Sequence, residues 1–147
     1  MVYSWKFLSA NIADGKWIDD NEVIVRTDIV QKLYNVHLDI IESKYATRDD
    51  YIKVTCLKWR PFKDASGKII AVKQAGSLAF AIEANLFPYN IRKGLRHYVF
   101  WAESPLNSAS ADSILSTHFE NKRLLWFVNA PKHKSIHGVW HAQVFVK

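Results

Sequence analysis

Leu95-Arg96-His97-Tyr98-Val99-Phe100-Trp101-Ala102 is the stretch on which the fold turns. Its branched and aromatic side chains favour an extended strand. Period two then sets His97, Val99 and Trp101 on one face, with Arg96, Tyr98 and Phe100 on the other. Val139 to Val146 repeats the pattern, with Val139, His141, Gln143 and Phe145 opposite Trp140, Ala142, Val144 and Val146. One face of each strand thus mixes imidazole with apolar groups. Ile69 to Val72, Phe80 to Asn85 and Leu124 to Val128 have the same composition, and together the segments predict an antiparallel sheet of about five strands.

Helices flank these strands. Ile29, Val30, Leu33, Val36, Ile40 and Ile41 recur at three- and four-residue steps behind Thr27, which predicts a helix over Asp28 to Tyr45 with Thr27 as N-cap. A second helix is expected from Thr47 or Arg48, with Asp49 and Asp50 at its positive end, running through Ile52, Val54, Thr55 and Leu57 until Arg60-Pro61 stops it. The two form an N-terminal helical hairpin. Ser108 or Ser110 caps a third helix, inserted between strands and carrying Ala111, Ile114, Leu115, His118 and Phe119 on one face. Pro105 to Ala109 reads as a loop, Asp64 to Gly67 as a turn, and residues 9–22 as polar and irregular. The fold class is α+β in a single domain spanning residues 1–147.

The 147 residues are 49% apolar, enough for one real core. No apolar run is long enough for a membrane span or a secretory segment, so no membrane partner is expected. The single cysteine, Cys56, excludes an internal disulfide and a cysteine-rich zinc site, which fits a reducing compartment, cytoplasm or nucleus by default. Twenty basic against fourteen acidic side chains give a formal charge of +6, which favours phosphate-bearing partners. Aromatic residues at 14% suit either a dense core or platforms for bases.

Several residues stand out chemically. His97 and His141 sit on the mixed faces, where an imidazole can act as nucleophile, acid or base, since its pKa lies near neutrality. The structural alternative is a hydrogen-bonded, semi-buried histidine. Lys132, Lys134 and Ser135, with His133, His137 and Gly138, make a basic segment suited to a phosphate, or else a solvated loop. Arg92, Lys93 and Arg96 form a second basic cluster among Tyr89 and Tyr98. Asp19-Asp20 and Asp49-Asp50 are explained by solvation and by a helix dipole. A zinc site from His133, His137 and His141 would need one helix to cross Gly138 into a strand, so neither a metal nor a cofactor is expected.

Trp59-Arg60-Pro61, Phe87-Pro88-Tyr89, Gly94-Leu95-Arg96-His97 with Trp101, Trp126-Phe127-Val128-Asn129 and His141-Ala142-Gln143-Val144 together resemble the fungal N-acetylglucosamine-induced protein family, a domain also found in large DNA viruses. The same landmarks are similar to the histidine-triad superfamily of nucleotide hydrolases and transferases, with Val139 at the first triad position and Gln143 at the third. That likeness implies His141 as the nucleophile attacking an α-phosphate. It also implies Ser135 and Gln143 on phosphate oxygens and Asn85 or Asn129 orienting a nucleotide; Tyr89 and Trp101 are further candidate ligand-binding residues.

Three functions follow as expectations. The first is a phosphate-ester hydrolase or transferase acting on a nucleotide or sugar phosphate through His141, with Gln143 and His97. The second is a non-catalytic binder of nucleotides or RNA 5′ caps, using aromatic stacking by Trp or Tyr with help from Arg92, Lys93, Arg96, Lys132 and Lys134. The third is a protein-interaction or host-modulating domain with structural histidines, working in the host cytoplasm if the chain is viral.

Overall fold

The computed structural model describes residues 1–19 and 24–147. Ser4 accepts the Phe7 amide at 3.1 Å and caps α1, Trp5–Asn11. A small hairpin follows, β1 (Ile12–Ala13) and β2 (Lys16–Trp17), turning through Asp14 and Gly15 at left-handed φ of 52° and 72°. Order up to Trp17 runs against the reading of residues 9–22 as irregular, of which residues 20–22 lie outside the described residues. It arises because Leu8, Ile12 and Trp17 pack under the main sheet, an apolar signal too short to show a period. Asp20 lies outside the described residues.

Thr27 caps α2, Asp28–Lys44, by accepting the Val30 amide at 3.3 Å. α3, Arg48–Thr55, opens on a reciprocal capping box between Thr47 and Asp50. It ends at Thr55, well before Arg60-Pro61. Lys58 at φ 60° turns the chain, fully buried Leu57 anchors the turn, and Pro61 instead enters a strand. That strand, β3 (Arg60–Lys63), pairs with β4 (Ile69–Val72) as a separate ribbon. Its turn is held by Asp64, whose Oδ1 accepts the Ser66 and Lys68 amides at 2.9 and 3.0 Å.

The main sheet is accordingly four-stranded and antiparallel, in the order β5 (Phe80–Ala84), β6 (Arg96–Ala102), β8 (Trp140–Val146), β7 (Leu124–Phe127). α4, Ser108–His118, is inserted between β6 and β7. Its cap is Asn107, whose Oδ1 accepts the Ser110 amide at 2.8 Å, so the cap lies just upstream of both serines proposed for it.

Register sorts the two faces of this sheet. His97 lies opposite Phe145, Val99 opposite Gln143 and Trp101 opposite His141. Phe100, Trp126, Ala142, Val144 and Val146 turn the other way and pack on Ala111 and Leu115 of α4. Burying Phe100 completely contributes about 2–3 kcal/mol from area alone. The histidine-bearing face is covered in two places. Tyr3, Leu8, Ile12, Ile24 and Tyr89 close on Phe127 and Phe145 at one end. Ile52, Leu57, Ile136 and Val139 close on Val99 and Trp101 at the other.

Candidate functional site

Between those two apolar clusters lies a cavity of about 1160 Å³, its floor the mixed face of β6 and β8. Trp101, His141 and Gln143 reach it from the sheet. Asn85 and Tyr89 come from the segment after β5, while Asn129, Lys132, Lys134 and Ser135 come from the stretch between β7 and β8. Nine of the residues singled out from sequence therefore share one space, although they are drawn from four stretches of chain.

His141 is buried against Trp101, with ring centroids 4.7 Å apart. Its Nδ1 lies 3.0 Å from the Val139 carbonyl, which only accepts, so Nδ1 carries the proton and Nε2 presents a lone pair. No hydrogen bond engages Nε2 among the described residues. Burial first, then Lys134, lowers the pKa of this ring below the ordinary 6.5, while the Val139 hydrogen bond opposes the shift. The imidazole is neutral at pH 7.

His97 differs. The Tyr89 amide donates to its Nδ1 at 3.1 Å, which leaves the proton on Nε2. Nε2 donates to Gln143 Oε1 at 2.7 Å. The ring is stacked between Tyr89 and Phe145, each centroid 4.8 Å away. Burial pushes its pKa down to about 3. Of the two histidines singled out from sequence, His97 does not line the cavity; its ring is buried beneath the floor.

Gln143 is the link between the two levels. Because its Oε1 must face the His97 proton, its amide nitrogen is the group left to donate toward the cavity. A backbone amide thus sets a histidine tautomer, and the tautomer sets a glutamine. Asn129 donates to the Tyr89 hydroxyl at 3.3 Å, and Asn85 Oδ1 accepts the Phe87 amide at 2.8 Å. The Ser135 hydroxyl bonds that of Tyr34, and the Ser135 carbonyl accepts from Arg48 at 2.9 Å. Gly138 donates to Asp49 at 2.9 Å, pinning the loop before β8 to the start of α3.

Arg92 and Arg96 are not part of this space. Arg92 lines a separate hollow of about 390 Å³ with Lys6, Lys93 and Lys147, and Arg96 projects from the opposite face of β6. Sequence reading missed Arg26, whose guanidinium lies 4.1 Å over the Tyr34 ring and 5.1 Å from that of Tyr89. Its Nε donates to the Phe87 carbonyl at 2.7 Å, and no carboxylate pairs with it among the described residues. The only hint was its position just before the α2 cap. Tyr34, His37 and Phe87 make an aromatic wall beside it, Phe87 lying 5.4 Å from Tyr34 and 4.9 Å from His37. Cys56 also lines the cavity, with burial raising its thiol pKa. Among the described residues no group of three or more His, Cys, Asp or Glu is arranged to hold a metal ion.

A four-stranded antiparallel sheet with a helix on one face and a polar-floored cavity on the other defines the chain as an α+β domain. It belongs to the family described as a protein of unknown function (DUF3605), whose profile matches residues 4–147. The uncharacterized protein YPL067C of Saccharomyces cerevisiae (strain ATCC 204508 / S288c) is 28% identical over 90 residues, covering 49% of this chain and 46% of the yeast protein. The chain thus spans about half the length of that curated relative. The crystal structure of HTC1 is similar in fold, with a TM-score of 0.62 at 19% identity over 98% of this chain and 84% of that one.

Proposed function

We propose that the cavity binds a phosphate ester of the nucleotide or sugar-phosphate class, and that His141 attacks its phosphorus, as the resemblance to histidine-triad enzymes implies. The observation that carries this reading is the His141 ring, with Nδ1–H tied to the Val139 carbonyl and an unengaged Nε2 in a ring that lines the cavity. An imidazole oriented through one nitrogen is a competent nucleophile through the other. In the proposed step Nε2 forms a bond to phosphorus while the bond to the leaving oxygen breaks. That oxygen departs with the electron pair and takes a proton from water. Water or another acceptor then cleaves the N–P bond. The Gln143 amide and Lys134 stabilise charge on the non-bridging oxygens, and Arg26 steers the anion inward.

Val139 favours a second reading. An aliphatic side chain stands where the likeness to histidine triads places the first histidine, so the pocket can bind nucleotides or capped RNA without turnover. Among the described residues no helix is long and apolar enough to cross a membrane, and a cytoplasmic setting belongs to the same proposal.

The test is a screen of nucleoside polyphosphates, nucleotide sugars and cap analogues for turnover, for acid-labile phosphate on the protein and for thermal shift. The enzyme reading expects turnover that His141→Ala abolishes while the circular dichroism spectrum is kept. Thermal shift with every ligand recovered intact replaces it with the binding reading, and neither signal with any ligand removes both.

A further inference from the structure

α2 carries apolar side chains on two faces. Leu38 and Ile41 are buried against the domain, whereas Ile29, Leu33, Val36 and Ile40 are 74%, 56%, 56% and 49% exposed. Steps of four, three and four place these four in one narrow stripe with the spacing of a coiled-coil seam. Single exposed apolar residues are ordinary, but an aligned row of them marks a contact surface.

Charge identifies the occupant. Lys32 and Asp39 are exposed along one flank of the stripe, seven positions apart, and neither has an ion-pair partner among the described residues. We propose that the stripe is a self-association surface, on which α2 of a second copy packs antiparallel about a two-fold axis. In that arrangement Ile29 faces Ile40 of the second copy and Leu33 faces Val36, so all four layers are apolar. The flank then sets Lys32 of each copy against Asp39 of the other, and the two-fold repeats the pair. Parallel pairing would instead set Lys32 beside His37. The flank is self-complementary in charge only when the helices are antiparallel.

Four side chains a side is a smaller contact than the ~800 Å² per partner of a standard interface, so association is reversible and depends on concentration. Sedimentation velocity on the full chain over a concentration series tests the proposal, with circular dichroism confirming that each variant is folded. Wild type is expected to shift from monomer toward dimer, and Leu33→Glu to remain monomeric. Lys32→Asp and Asp39→Lys should each weaken association roughly tenfold, and the double exchange should restore it to within about threefold of wild type. A wild type that stays monomeric throughout overturns the proposal, as does a Leu33→Glu protein that dimerises like wild type. An exchange that fails to restore association overturns the antiparallel pairing.

Discussion

Replacing His97 by Asn should flatten the pH dependence of stability on the acid side. The buried ring has its pKa pushed down to about 3, against 6.5 for an exposed imidazole, and burial is the main cause. A depressed folded-state pKa means that the unfolded chain takes up the proton first as pH falls. The stability held by the neutral ring is therefore fully present above 6.5 and is lost progressively toward 3. From pH 7 to pH 5 the loss through this one residue is ~2 kcal/mol, because over that window only the unfolded state titrates. Such a loss is a large part of the ~5–15 kcal/mol that holds a domain together. Urea denaturation followed by tryptophan fluorescence at several pH values gives the curve for both proteins. Carboxylates common to both cancel in the difference, so the wild type should lose ~2 kcal/mol more than the variant between pH 7 and pH 5. A difference that does not change with pH would refute the reasoning. In the wild-type protein, the Cε1 proton of His97 should also hold its chemical shift across the same window.

Gly15→Ala should lower the melting point by roughly 4–8 °C by calorimetry, since φ is 72° there and an added Cβ falls 2.5 Å from the Trp126 ring. At Gly138 an added Cβ falls 2.1 Å from the Asp49 carboxylate. Gly138→Ala and Asp49→Ala should each cost about 1–3 kcal/mol in urea titrations, and the double variant should cost no more than the larger single one, because both break one tie. If the cavity turns over a phosphate ester, the acid limb of its rate should have its midpoint below 6.5, since burial keeps His141 neutral to lower pH; a pH–rate profile reads this directly.

The strands and helices were legible wherever a period ran long enough. The β6 and β8 faces follow directly from alternation, and because both strands pair in register, the polar residues on them meet as alternation requires. α2 was legible as a helix but not in its orientation. Of the six apolar residues that mark its period, Ile41 alone is buried and four face outward, because Tyr34, His37 and Leu38 supply the inner contacts. Periodicity identifies a stripe without saying what lies against it. The fate of His97 was hidden for a similar reason. Its partner Tyr89 arrives from a turn, and no one-dimensional pattern records which loop folds over a strand. Arg26 escaped because its role depends on two rings, Tyr34 and Tyr89, brought to it by folding.

The strand that carries His141 and Gln143 follows the other three strands of its sheet in sequence, yet it occupies an interior position between β6 and β7. During translation both neighbours wait with open hydrogen-bonding edges until residues 140–146 leave the ribosome, so the sheet closes after synthesis of its other strands is complete. A nascent chain stalled before that point holds two unsatisfied edges and an uncovered apolar floor, the condition in which chaperone capture is most needed.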